Sequence, residues 1–193
     1  MLERKIIKVF AAIAFVLILA GGPVFCGEQN RMVYAQLRHK GHWDPYPGIF
    51  REVLSFMIGT TSIQPSERRL LADASSSALF DTTFLIILGS GDIGVFTEKE
   101  VVNLRNYIAA GGIIFADSSD AVLGSVFVKS VRREFSRVIP QGVWERVPEN
   151  HASLRSFYLM KSAGGRRIVS DHLTGMFVDD FVPVLISEND LLG

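Results

Sequence analysis

Three short stretches of this chain hold the residue types that do chemistry. The first is His39-Lys40-Gly41-His42-Trp43-Asp44-Pro45-Tyr46, which gathers two imidazoles, an indole and a carboxylate within eight residues. It reads either as a ligand pocket with an aromatic wall or as a proline-fixed connection on which Trp43 packs as a lid. His39-x-x-His42-x-Asp44 is a metal-ligand pattern in outline. Off a helix, however, H-x-x-H lacks the geometry that brings two imidazoles onto one face, so no metal is expected. The second stretch is Gly89-x-Gly91-x-x-Gly94, the glycine spacing of a dinucleotide cradle. The third is Asp117-Ser118-Ser119-Asp120, with Arg133, Glu134 and His151 downstream. A serine after a strand, with a histidine and a carboxylate elsewhere, is the raw material of a nucleophilic hydrolase.

The elements that must position these stretches weigh on each reading. Phe84-Leu85-Ile86-Ile87-Leu88 predicts a buried strand, and Thr97 with Glu100 three residues on predicts a capping box that starts a helix. Val101, Leu104, Tyr107 and Ile108 continue that helix to Gly111-Gly112, and Ile113 to Ala116 forms the next strand. The result is one βαβ unit of a parallel sheet. A dinucleotide site needs its helix to begin inside the glycine motif, so that free amides meet the pyrophosphate. Here the helix begins at Thr97, after the last glycine. Asp117, at the end of the following strand, is where an acidic residue would take ribose hydroxyls, and it keeps that reading as an alternative. No cofactor is expected. A nucleophile elbow wants glycines around its serine, whereas Ser118 and Ser119 sit between Ala116-Asp117 and Asp120. They remain weak catalytic candidates together with His151.

Elsewhere, Met32 to Leu37 predicts a first strand, and Ile49, Phe50, Val53, Leu54, Met57 and Ile58 mark one face of a helix, with Asp44-Pro45 as its N-cap and N1 pair. Ser62-Ile63-Gln64 is a candidate short strand. Phe127, Val131, Phe135 and Val138 predict the inner face of a further helix, with Lys129, Arg132, Arg133 and Arg137 outside. Val143 to Val147, Ile168-Val169 and Val182 to Ser187 predict later strands, with a turn at Asp179-Asp180. Strands alternating with helices imply an open, mostly parallel α/β sheet in three layers, with helices on both faces. Ligands of such sheets lie beyond the carboxyl ends of the strands.

Of 193 residues, 48% are hydrophobic and 21% charged, enough for one domain with its own core. Arg4, Lys5 and Lys8 precede an apolar run from Val9 to Ala20, which Gly21-Gly22-Pro23 ends. This describes a signal peptide over residues 1–26, followed by a single α/β domain over 27–193. The expected compartment is the periplasm, the alternatives being an uncleaved membrane anchor or a lipidated Cys26. Residues 1–26 hold three of the 20 basic and one of the 20 acidic residues, which leaves 17 against 19, a net charge of −2. That balance excludes a nucleic-acid binder, which needs a basic excess, and any membrane contact would run through the leader. The single cysteine lies in the leader, so the exported domain has neither a disulfide nor a thiol nucleophile.

The order Tyr34-x-x-Leu37, Gly41-x-Trp43-x-x-Tyr46, Leu85-Ile86-Ile87-Leu88-Gly89-Ser90-Gly91, Leu104 to Gly112, Phe115-Ala116-Asp117, Arg132 to Pro140 and Pro148-x-x-His151-x-x-Leu154-Arg155-Ser156-Phe157-Tyr158 resembles the bacterial family called domain of unknown function 4159. The helix ending in Gly-Gly before a buried strand also resembles the class I glutamine amidotransferase-like fold, a flavodoxin-like arrangement. Those enzymes carry a cysteine where this chain has Asp117-Ser118-Ser119, so their activity does not carry over. The resemblance implies a further segment after Gly193 to complete the fold. It leaves Trp43, Asp117, Arg133, Glu134 and His151 as candidates without roles; with His39, His42 and Asp44 from the first stretch, they are the candidate residues for binding a small ligand or an envelope protein, without catalysis.

Overall fold

The computed structural model describes residues 31–66, 69–155, 160 and 164–193, and residues 32–193 form one compact unit. The predicted leader and the Ser156-Phe157-Tyr158 part of the family pattern lie outside the described residues. Seven strands form one sheet: β1 (Tyr34–Leu37), β2 (Leu70–Ala72), β3 (Phe84–Gly89), β4 (Ile113–Ser118), β5 (Val143–Arg146), β6 (Thr174–Val178) and β7 (Phe181–Ser187), in the spatial order β2-β1-β3-β4-β7-β6-β5. The first five in that order are mutually parallel, while β6 runs antiparallel to both β7 and β5. The helices are α1 (Ile49–Thr60), α2 (Glu98–Ala109), α3 (Val126–Val138) and the single turn α4 (Ala152–Arg155).

The period of two along β3 divides the core. Leu85 and Ile87 pack with Leu104, Tyr107, Phe127, Val131 and Phe135 beneath α2 and α3, whereas Ile86 and Leu88 pack with Tyr34, Phe50 and Leu54 beneath α1. A strand buried on both faces reads as an unbroken apolar run, as Phe84 to Leu88 does. The predicted capping box is present in full: Thr97 Oγ1 accepts from the Glu100 N–H, and the Glu100 carboxylate accepts from the Thr97 N–H at 2.7 Å. The inner face predicted for α3 is buried at all four positions, and Asp179-Asp180 is the tight turn between β6 and β7.

Four expectations need correction. Ser62-Ile63-Gln64 is not a strand, and only an isolated bridge joins Pro65 to Met32 there; the edge strand is β2 instead. Ile168-Val169 is not a strand either, because the Val169 and Ser170 N–H groups donate to the Asn189 side chain and the ladder is supplied by β6. Asp44 does not cap α1, which starts at Ile49 after Gly48, since its carboxylate is turned to Arg69. Asp117 and Ser118 are not loop residues. They extend β4, paired to Leu88 and Gly89.

Candidate functional site

In this strand order the chain leaves β1 toward one face and β3 toward the other, so the crevice between their carboxyl ends is where an α/β sheet takes a ligand. Here it is sewn shut. The His42 N–H donates to the Ser90 carbonyl at 3.0 Å, the Ser90 N–H donates to the His42 carbonyl at 3.2 Å, and the Lys40 N–H donates to the Ile93 carbonyl at 3.1 Å. Gly89, at φ 147, has the His42 carbonyl where a Cβ would stand, and a Cβ on Gly41 would lie 2.5 Å from the Ser90 carbonyl oxygen. The first glycine of the G-x-G-x-x-G spacing thus serves backbone approach, not phosphate. His39 completes the seam: its Nε2–H donates to the Leu88 carbonyl at 3.1 Å and its Nδ1 accepts from the Gly41 N–H at 3.1 Å. Burial lowers its pKa, and the neutral ring uses both nitrogens. The His42 side chain is exposed.

The remainder of the glycine loop is gripped by α3. Ser130 Oγ accepts from the Ile93 N–H at 3.1 Å. Arg133 donates to both oxygens of Asp92 at 3.0 Å, to the Gly94 carbonyl at 3.1 Å and to Glu134 Oε1 at 2.7 Å. Glu134 is fully buried, and its Oε2 accepts from the Phe96 N–H at 2.9 Å and from Arg137 at 2.6 Å. Burial opposes its ionisation. Hydrogen bonds from Arg133, Phe96 and Arg137 outweigh that and hold its pKa below the usual carboxylate range. Arg133 and Glu134 are brought to the glycine loop and not to Asp117.

Asp117 is fully buried at the end of β4, where its two oxygens accept from the Leu191 and Leu192 N–H groups at 3.0 and 2.8 Å. Burial raises its pKa to about 6, against the pull of these bonds and with help from the charge of Asp190. Asp190 is itself buried, and its Oδ2 accepts from Tyr46 Oη at 2.8 Å and from Arg166 Nε at 2.6 Å. The Ser118 hydroxyl is buried 3.1 Å from that of Ser125, and the Ser119 N–H donates to the Gly89 carbonyl. No imidazole is among the hydrogen-bond partners of Ser118 described here. His151 stands apart: its Nδ1 lies 2.9 Å from Ser153 Oγ at the start of α4, and its ring meets Phe177 edge-on.

Trp43 and Asp44 are held differently. Arg69 makes a two-pronged pair with Asp44, at 2.7 and 2.8 Å, and donates to Gln36 Oε1 at 3.1 Å; Gln36 Nε2 in turn donates to the Trp43 carbonyl at 2.6 Å. The guanidinium carbon stands 5.9 Å from the centres of both the Trp43 and Phe50 rings. Beside it a groove of about 470 Å³ runs along α1, lined by Tyr34, Phe50, Arg51, Leu54, Ile58 and Arg69 among others. Residues 33–193 match the family described as Domain of unknown function (DUF4159).

The chain belongs to the DUF4159 family.

No curated protein matches it. In this DUF4159 domain the sequence pattern had singled out Trp43 and Asp44 but neither Arg69 nor, apart from its place in the family pattern, Tyr34. One signal for them was visible: Gln36, a polar residue in a buried strand, shares a face with Tyr34 and demands a polar partner. Arg69 lies 25 residues beyond Asp44, and nothing local marks it as that partner. Among the described residues, no group of three His, Cys, Asp or Glu is placed to hold a metal ion, and no helix is long and apolar enough to cross a membrane.

Proposed function

We propose that this chain is an exported, non-catalytic α/β domain that binds a ligand or a partner protein through the carboxyl-edge loops of its sheet, on the side of Trp43. The observation that carries the reading is the Gln36–Trp43–Asp44–Arg69 cluster. Trp43 is half-buried, its carbonyl held by Gln36 and its ring 5.9 Å from an Arg69 guanidinium that Asp44 fixes, so less of the loop is left to order on binding. Export is supported by the basic and then apolar leader, residues 1–26. A flavodoxin-like fold of the class I glutamine amidotransferase kind is supported by the order of the five parallel strands, which counted along the chain is 2-1-3-4-5. Envelope hydrolysis by Ser118 or Ser119 is less favoured, because the Ser118 hydroxyl is buried against that of Ser125 and no glycine flanks either serine to form a nucleophile elbow. The sewn crevice likewise disfavours a dinucleotide.

A photoreactive residue in place of the exposed His42, in the full chain expressed in cells, tests the reading. A discrete adduct is expected that Trp43→Ala removes and His151→Ala leaves. An unchanged adduct in a folded Trp43→Ala protein would refute it.

A further inference from the structure

The seam that closes the crevice between β1 and β3 has an ionisable ring built into it. A carbonyl can only accept and an amide N–H can only donate, so the Leu88 carbonyl, at 3.1 Å, fixes the proton of His39 on Nε2, and the Gly41 N–H, at 3.1 Å, fixes Nδ1 as a bare acceptor. Only the neutral ring satisfies both. A second proton would go to Nδ1 and set N–H against N–H, so an imidazolium must release Gly41 or leave its place. The ring is closely hemmed in. A Cβ on Gly41 would lie 3.2 Å from its Cε1, a Cβ on Gly89 would lie 3.2 Å from its Nε2, and the Phe127 ring of α3 stands 5.8 Å away.

The charged groups around the ring are engaged elsewhere. His39 shares a groove of about 310 Å³ with Arg38, Lys40, Asp73 and Glu100. Asp73, after β2, is paired to Arg38, and Glu100, in the first turn of α2, accepts from the Thr97 N–H and hydroxyl. Farther along the glycine loop, Asp92 is held by Arg133. From its own loop come Lys40 and His42, of the same sign as an imidazolium, and from α3 the apolar Phe127. Burial lowers the pKa of His39 from the ordinary 6.5; the bond to the Leu88 carbonyl opposes the shift and the charge of His42 adds to it. With the folded value below the unfolded one, the seam is at full strength above pH 6.5 and weakens as the pH falls through the native value.

We infer that His39 is a proton-released catch on the Trp43 loop: protonation frees Gly41, unzips residues 40–42 from residues 90–93 and weakens binding at Trp43. Gly41 lies between Lys40, whose N–H reaches the Ile93 carbonyl, and His42, which exchanges two hydrogen bonds with Ser90, so its release acts on both ties. Gln36 and Arg69 still hold Trp43 and Asp44 from the other side. The loop therefore loosens at one end while the domain stays folded, and the lost order must be restored on binding. The inference rests on the reading that the Trp43 side binds, and it adds the regulation of that site.

The test is hydrogen exchange of the full chain, followed by backbone amide NMR between about pH 7.5 and about pH 4.5 and corrected for the intrinsic effect of pH. Protection of the His42 and Ser90 amides is expected to fall relative to that of β4, by up to about tenfold per pH unit below 6.5. His39→Asn, whose side-chain oxygen accepts from the Gly41 N–H without titrating, should abolish the dependence, and His42→Asn should keep it. Imidazole nitrogen NMR of the wild type reads the same event without a substitution: Nδ1 should be the bare nitrogen at about pH 7.5 and gain its proton where protection falls. Flat protection, a fall that persists in His39→Asn or vanishes in His42→Asn, or a bare Nε2 would each overturn the inference. The Trp43-dependent adduct from position 42 should drop severalfold at about pH 5 and hold when His39→Asn is added. An adduct indifferent to pH while protection falls would overturn the regulation and leave the binding side standing. If no Trp43-dependent adduct forms at any pH, the binding side is wrong, and with it the regulation.

Discussion

The two faces of the sheet use the same residue types to opposite ends. On the α3 side, Arg133, Arg137, Glu134, Asp92 and Ser130 satisfy one another and the backbone of the glycine loop, and Glu134 alone accepts three hydrogen bonds. On the α1 side, Arg69 and Asp44 satisfy each other. Beside them Arg51 has no ion pair among the described residues and the Tyr34 hydroxyl has no partner there. Charged and polar groups that the protein consumes internally hold a loop. Those left unmatched at the edge of open space, as Arg51 is, are what remains for a ligand.

The contrast can be broken from the saturated side first. Glu134→Ala strips three donors of their shared acceptor in the core and should lower unfolding free energy by about 3 to 4 kcal/mol in urea titrations. This is at the low end for a broken buried pair, because Arg133 and Arg137 keep one side in water. A larger loss would mean that the glycine loop unfolds with it. The same carboxylate has a native pKa below its ordinary 4.5, so its contribution is full above that pH and is lost as the pH falls through the depressed native value.

Asp117 should run the other way, and the pair makes a sharper test than either alone. Its native pKa of about 6 stands above the ordinary 3.8, so the folded state holds the proton more tightly than the unfolded chain does. Stability from this group is present below pH 3.8 and lost as the pH rises through 6, a swing of about 3 kcal/mol. Measured against Asp117→Asn from pH 4 to pH 7, wild-type stability should fall by most of that amount relative to the variant. A flat difference would show that the bonds from Leu191 and Leu192 compensate burial in full.

Two smaller substitutions refine the comparison. Thr97→Ala removes the cap of α2 on the saturated side and should cost about 1 kcal/mol. Arg51→Gln, on the open side, should move unfolding free energy by less than about 0.5 kcal/mol, as expected for an exposed residue that supports nothing. A cost above 1 kcal/mol would make Arg51 structural.

The helices of the saturated side were legible in sequence, because their determinants are local, whereas the grip of Ser130, Glu134 and Arg133 on the glycine loop joins residues 37 to 41 apart and was not. The Thr97–Glu100 box and the inner face of α3 both follow from spacings of three and four residues, and both are present. What was not legible depended on partners distant along the chain. β2 is three residues long and is a strand because β1 lies beside it, and β6 carries Gly175 as its second residue, so neither announces itself by alternation. Asp117 and Ser118 resemble loop residues by type. They lie in the sheet because buried acceptors and donors await them: the Leu191 and Leu192 amides for one, the Ser125 hydroxyl for the other. At the site, Trp43 and Asp44 were visible as chemistry. Arg69, which makes them a platform, was not.

The central claim, that the α3 side holds and the α1 side binds, is tested most directly by reading stability and adduct yield from position 42 on the same three proteins: wild type, Glu134→Gln and Trp43→Ala. The account predicts that Glu134→Gln loses stability but keeps its adduct in the folded fraction, while Trp43→Ala stays folded and loses it. An adduct lost from folded Glu134→Gln and kept in Trp43→Ala would contradict it.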